Sequence, residues 1–241
     1  IYTVNTQKKI LVFTATYNEV DNIVDFINSV RNQSKNLDVL IIDDNSPDNT
    51  ALKIRNLQKE IENLKLIVRD NKKGLDSAHK MAYDYAIKKN YNYLITMDAD
   101  FSHDPSELNN FVKKLEDSPF VIGSRYVKGG KCLMTGSRLV MSKIGNKLIK
   151  YVSGIKCNEF TTSYRGFNLD KLKGFHLNLV TTKGYSFFMG TMFVIQKMKF
   201  EIKEIPIIFK DREKGISKIP KIEIFRTLTN LIILTFKNKL N

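Results

Sequence analysis

The first half of this chain alternates short apolar runs with longer segments whose apolar residues recur at helical spacing, and that alternation limits the folds open to it. Lys9 to Ala15, Asp38 to Ile42, Leu64 to Val68, Tyr93 to Met97 and Phe120 to Ile122 have the length and composition of strands. Glu19 to Arg31, Asp48 to Glu62, Ser77 to Lys89 and Pro105 to Asp117 lie between them; in the first, Ile23, Phe26, Ile27 and Val30 mark one helical face. The pattern predicts an α/β fold with a mostly parallel central sheet flanked by helices. Such sheets bind ligands beyond the carboxyl ends of their strands. Thr16-Tyr17-Asn18-Glu19, Asp43-Asp44, Asp70 to Gly74 and Asp98 to Asp100 all fall at those ends and are expected to share one cleft.

Within that set, Asp98-Ala99-Asp100 places two carboxylates one residue apart at the end of a buried run. Two such groups repel unless a cation lies between them, and a hard divalent ion holding a phosphate meets that need. The plainer alternative is that they cap the helix opened by Pro105. The first strand is followed by no glycine-rich turn, and the chain has no Gly-x-x-x-x-Gly-Lys-Ser/Thr loop and no His-Glu-x-x-His pair. A bound nucleotide would therefore be held mainly by side chains. Asp43 and Asp44 offer acceptors for base N–H and ribose hydroxyl groups, while Asp48 is placed to cap the next helix.

The net charge is +14, and most of it is local: between Ser118 and Phe200 fourteen Lys and Arg residues face only Glu159 and Asp170. A phosphate-rich substrate, an anionic membrane or nucleic acid would each suit that excess. The basic stretch carries no reading motif and only scattered aromatics such as Tyr126 and Tyr151, so nucleic acid is not the expected partner. After Gly129-Gly130, Ser137 to Val152 reads as a basic amphipathic helix, Glu201 to Phe209 as a strand and Asp211 to Lys218 as a charged loop. From Pro220 onward a helix is expected, with Ile222, Phe225, Leu228, Ile232 and Phe236 on one face, docked on the core or lying on a membrane. No apolar stretch reaches the roughly 18 residues that span a bilayer, so any membrane contact is expected to be peripheral. Cys132 and Cys157, without Cys-x-x-Cys spacing, point to a reducing cytosol, so a peripheral contact is expected on the cytoplasmic membrane face. The expected division is one main domain over 1–215 and a C-terminal amphipathic helix over 216–241.

With these motifs assembled, the chain resembles family 2 glycosyltransferases of the GT-A fold, and among them the dolichol-phosphate (polyprenol-phosphate) mannosyltransferases. Thr16 to Glu19 matches the family's first-strand motif, Asp43 to Thr50 its DDxSxDxT, and Lys73 to Ala78 its GLGxA turn. Asp98 to His103 is similar to DADxxH, Val121 to Tyr126 to IGSRY, Glu159 to Arg165 to DPTSGFR, Gly184 to Phe187 to GYxF, and Asp211 to Lys218 to DRxxGxSK. The resemblance implies that Thr16, Tyr17, Glu19, Asp44, Asp98, Ala99 and Asp100 bind the nucleotide sugar, and that Asp98 and Asp100 hold Mg²⁺ or Mn²⁺. It implies that Arg125, Arg138 and Ser142 bind the acceptor phosphate, with Asp100, Arg125, Arg212 and Lys218 as the catalytic set. The implied reaction moves a hexose, mannose from GDP-mannose, to a polyprenyl phosphate with inversion. The alternatives are UDP-glucose or another sugar nucleotide, a glycan acceptor, or a non-catalytic basic binding protein. Asp76 stands where the family has a small glycine, Gly190 where many relatives carry an acidic residue, and Ser163-Tyr164 where they have Gly-Phe.

Overall fold

The structure is a computed structural model that describes residues 8–34, 36–211 and 222–239. Seven strands form one sheet: β1 (Ile10–Thr16), β2 (Leu37–Asp43), β3 (Leu64–Val68), β4 (Tyr93–Thr96), β5 (Phe120–Ser124), β7 (Arg165–Asn168) and β8 (Ile202–Pro206). Their order is β3-β2-β1-β4-β7-β5-β8. Two short strands, β6 (Lys131–Cys132) and β9 (Ile208–Phe209), pair separately. Helices α1 (Ile23–Gln33), α2 (Thr50–Leu57), α3 (Leu75–Lys88) and α4 (Leu108–Asp117) connect the first five strands. Helices α5 (Gly136–Ser153), α6 (Ser186–Lys197) and α7 (Ile222–Lys239) belong to the second half.

Successive residues of a strand point to opposite faces, and here both faces are covered, so the strands read as unbroken apolar runs. Leu11, Phe13, Leu40 and Ile42 pack with Ala78, Ala82 and Tyr83 of α3 and with Phe187, Phe188 and Met192 of α6. Val12, Val39, Ile41 and Ile95 pack on the other face with Phe26 and Ile27 of α1 and Phe111 and Leu115 of α4. Leu231 of α7 is buried in the first of these cores, and α7 packs against α6 and α5. The last helix is therefore docked on the body. The expected boundary at 215/216 falls outside the described residues.

The sheet is mostly parallel, as expected, with β7 running antiparallel to both β4 and β5. One expectation is corrected. The segment 201–209 is two strands: Pro206, which lacks an N–H, ends β8 beside Ser124, and the chain crosses through Ile207 to pair β9 with β6. Neither β7 nor α6 has a readable period. Nine of the twelve α6 residues are buried, so its apolar character runs all round. In β7, Arg165 is 1% exposed; its guanidinium donates to the carbonyls of Thr162 (2.8 Å), Phe188 (2.8 Å) and Phe160 (3.0 Å). Burial pushes its pKa down to about 9.

His79 of α3 lies among the rings of Phe13, Phe187 and Phe188, and burial, followed by the nearby Arg165 charge, lowers its pKa to about 3. The unfolded chain takes up that proton near pH 6.5 while the folded protein does not, so this contribution is complete above about 6.5 and is lost as pH falls toward about 3. Urea titrations from about pH 7 to about pH 5 are expected to show stability falling by up to about 1.4 kcal/mol per pH unit from this group, with a shallower slope in His79→Leu.

Candidate active site

The site lies at the carboxyl ends of β1, β2 and β4, as the crossover topology requires. Asp43 and Asp44 take different roles there. Asp43 is fully buried and accepts from Thr16 Oγ1 (2.8 Å), Ser46 N–H (2.8 Å) and Ser46 Oγ (2.6 Å), which shapes the turn after β2. Asp48 accepts from Val20 N–H at 3.0 Å and Thr50 N–H at 3.0 Å, tying the loop after β1 to the start of α2. Glu19 adds an N–H bond to Thr50 Oγ1 at 3.1 Å and accepts from Asn22 Nδ2 at 2.8 Å. Asn18 adopts a left-handed φ of 56°, which turns the chain between Tyr17 and Glu19.

Asp44 forms a buried ion pair with Arg69, the residue following β3. Arg69 also donates to the Gly74 carbonyl at 3.0 Å and to Ser77 Oγ, so one guanidinium links β2 to the opening of α3. Sequence reasoning missed Arg69; its signal was an arginine directly after an apolar strand at the ligand-binding edge. Beside it, the Lys72 ammonium rests 4.2 Å from the centre of the Tyr17 ring.

At the end of β4, the Asp98 side chain is 43% exposed and Asp100 is buried, with Asp100 Oδ1 accepting from Ser102 N–H at 3.0 Å. Ala99 between them is buried in the core. Neither aspartate caps the next helical segment; Asp104 caps the short 3-10 turn Pro105–Glu107 that leads into α4, accepting from Ser106 N–H. The Asp98 N–H donates to His103 Nδ1 (3.1 Å), which leaves the His103 proton on Nε2, 3.1 Å from Thr162 Oγ1. Burial lowers the His103 pKa and outweighs the opposite pull of Asp98 and Asp100, so this ring is a neutral support.

Arg125, just beyond β5, is 7% exposed. It binds both carboxylate oxygens of Glu159, at 2.7 and 2.8 Å, and Thr161 Oγ1 at 2.8 Å, with its guanidinium against Tyr126 and Phe209. Burial opposes charge on both partners, but their mutual attraction raises the Arg125 pKa and lowers that of Glu159. Tyr126 Oη, 2.7 Å from Ser142 Oγ, joins this strand end to α5. Arg138, near the α5 N-terminus, is exposed and pairs with Asp211 at 3.2 Å. Thr16, Tyr17, Glu19, Asp44, Asp98, Ala99 and Asp100 thus meet on one edge, with Arg125, Ser142 and Arg138 on the β5–α5 side. Arg212 and Lys218 lie outside the described residues.

A mixed sheet of this order, with paired carboxylates after its central strand, defines the GT-A class of nucleotide-sugar transferases. Residues 11–202 match the family model described as Glycosyl transferase family 2. The chain is 32% identical over 220 residues to polyprenol monophosphomannose synthase of Mycolicibacterium smegmatis, covering 90% of this chain and 83% of that one. It is 31% identical over 212 residues to undecaprenyl-phosphate mannosyltransferase of Micrococcus luteus, covering 88% and 87%. Among solved structures, glucosyl-3-phosphoglycerate synthase from Mycobacterium tuberculosis, in complex with Mn²⁺, UDP and glucosyl-3-phosphoglycerate, superposes with a TM-score of 0.67 at 14% identity, covering 96% of this chain and 80% of that one. A mannosyltransferase from Pyrobaculum calidifontis, in complex with GDP-mannose and Mn²⁺, gives 0.57 at 18% identity, covering 98% and 65%. The protein belongs to glycosyl transferase family 2 and is a glycosyltransferase with the GT-A fold.

The Arg125–Glu159 and Arg138–Asp211 pairs should differ sharply in weight. Glu159→Ala strands a buried guanidinium and is expected to cost about 3–5 kcal/mol in denaturant unfolding. Arg138→Gln, which breaks an exposed pair, is expected to change stability by less than about 1 kcal/mol.

Proposed function

We propose that the protein transfers mannose from GDP-mannose to a polyprenyl phosphate at a membrane surface, inverting the anomeric carbon. The observation that carries this reading is the Asp98/Asp100 pair at the sheet edge next to Asp44, in a chain whose curated relatives are named for mannosyl transfer to polyprenyl carriers. Tyr17, Glu19 and Asp44 face the nucleoside, Asp44 held in place by Arg69. Among the described residues no group of three or more His, Cys, Asp or Glu side chains is arranged to hold a metal alone. Mg²⁺ and Mn²⁺ bind through one or two carboxylates completed by substrate phosphates, and Asp98 and Asp100 match that donor set. Such an ion, when bound, neutralises charge on the departing diphosphate.

The acceptor phosphate is anionic at neutral pH and needs no general base, so the protein's contribution is alignment. A phosphate oxygen attacks C1 of the sugar, the bond from C1 to the β-phosphate oxygen breaks, and the nucleoside diphosphate leaves from the opposite face. Arg138 and Ser142 are the groups we assign to the acceptor. Arg125, occupied by Glu159, holds Tyr126 and thereby Ser142 in register. Arg212 and Lys218 are assigned to the donor diphosphate.

Membrane contact is supported by two neighbouring helices. On α5, Val140, Ile144, Leu148 and Tyr151 form an exposed stripe, with Tyr151 88% exposed, flanked by Lys143, Lys147 and Lys150. On α7, Leu228, Ile232 and Phe236 form a second, with Phe236 65% exposed. An apolar stripe bordered by lysines, as on α5, suits a helix lying in an anionic interface, such as the cytoplasmic leaflet. Among the described residues no helix is long and apolar enough to cross a membrane.

GDP-mannose with Mn²⁺ is expected to raise the melting temperature, by about 2.7 kcal/mol of stabilisation at 100-fold excess over Kd, with chelator abolishing the shift. A response to UDP-glucose instead would reassign the donor. Asp100→Ala is expected to remain folded and to lose about 10²–10³-fold or more in transfer rate. In vesicle flotation, Ile144→Glu combined with Ile232→Glu is expected to weaken binding to anionic vesicles by about ten-fold or more. Turnover of a short-chain soluble acceptor should be unchanged by that pair.

A further inference from the structure

We infer that Ser163 is a positioning residue for Asp98, and that its hydroxyl sets the orientation in which that carboxylate meets the metal-bound diphosphate. The inference rests on the assignment of Asp98 and Asp100 to the metal. Ser163 Oγ donates to Asp98 Oδ1 at 2.7 Å. The serine itself is 5% exposed and cannot drift: its carbonyl accepts from Thr96 Oγ1, and the neighbouring Thr162 hydroxyl meets His103 Nε2 at 3.1 Å. His103 Nδ1 in turn accepts the Asp98 N–H at 3.1 Å. The strand-entry segment at 162–163 therefore grips Asp98 twice, at its backbone through His103 and at its carboxylate through Ser163.

The carboxylate needs that grip because it is 43% exposed and packing alone does not choose its rotamer. A buried aspartate such as Asp100 is oriented by its surroundings; an exposed one samples several rotamers unless a neighbour holds it. Hydrogen bonds from groups behind a ligating carboxylate typically tune metal affinity by about 10–100-fold. The backbone places no demand for glycine here, since Ser163 is not among the residues with positive φ. Removing the hydroxyl therefore isolates its effect. Water can replace the lost donor at so exposed a carboxylate, so the fold has little to lose.

The test is Mn²⁺ titration followed by electron paramagnetic resonance, in the presence of GDP, on wild type, Ser163→Ala and Ser163→Thr. Ser163→Ala is expected to weaken Mn²⁺ binding about ten-fold or more and to raise the Mn²⁺ concentration for half-maximal turnover in step. At saturating Mn²⁺ its kcat should recover, and the melting temperature of the metal-free protein should match wild type. Ser163→Thr, which keeps the hydroxyl, is expected to restore affinity. Wild-type Mn²⁺ affinity in Ser163→Ala overturns the inference while leaving the metal site standing. So does a loss of affinity accompanied by a lower metal-free melting temperature that Ser163→Thr does not repair, since that marks a structural role. Failure of the wild type to bind Mn²⁺ with GDP overturns the metal assignment and this inference together.

Discussion

The guanidinium of Arg165 holds three backbone carbonyls at the entrance to β7, and the active-site edge is organised around that entrance. A cation buried this deeply costs several kcal/mol unless its donors are satisfied, and here carbonyls of Phe160, Thr162 and Phe188 satisfy them. Because β7 runs antiparallel between β4 and β5, its leading end falls where its neighbours' carboxyl ends lie. The residues just ahead of it then reach both sides of the cleft. Glu159 fixes Arg125, Thr162 meets His103, and Ser163 meets Asp98. One antiparallel strand thus links the Asp98 side of the cleft to the Arg125 side.

The cations of this strongly basic chain divide by burial into two kinds. Arg69, Arg125 and Arg165 are buried, and each has its donors bound by carboxylates, hydroxyls or carbonyls, so they define shape. Arg138, Lys143, Lys147 and Lys150 are exposed along α5 and supply an attractive field for an anionic lipid or phosphate. The same helix carries the exposed apolar stripe, so positive charge and exposed apolar area share one surface. That surface begins beside Ser142, where strand β5 and its Tyr126 meet α5.

Much of this architecture was legible from residue order. Four strand-helix units, the residues gathered at their carboxyl ends, and the basic amphipathic helix all appear close to their expected bounds, because an unbroken apolar run marks a strand covered on both faces and a 3.6-residue period marks a helix buried on one. The second half was less legible. Helix α6 is buried nearly all round and shows no period, while β7 consists of Arg-Gly-Phe-Asn, whose polar ends are tolerated inside only because carbonyls await them. Arg69 was missed for a related reason: an arginine after a strand is ordinary until its carboxylate partner is seen 25 residues upstream.

The sequence by itself determined the fold class, the edge on which ligands gather and the membership of Asp98, Asp100 and Asp44 in that edge. Local patterns of hydrophobicity and turn residues carry that information directly. Only the tertiary structure decided what each charged group does there. It turned Asp43 inward to shape a loop and Asp44 toward Arg69, closed Arg125 on Glu159, and set Ser163 behind Asp98. The last three depend on partners between 25 and 65 residues away in the chain, brought together by sheet order and by the one antiparallel strand. The role of a buried charge is fixed by its partner and its solvation, and neither is a property of local sequence.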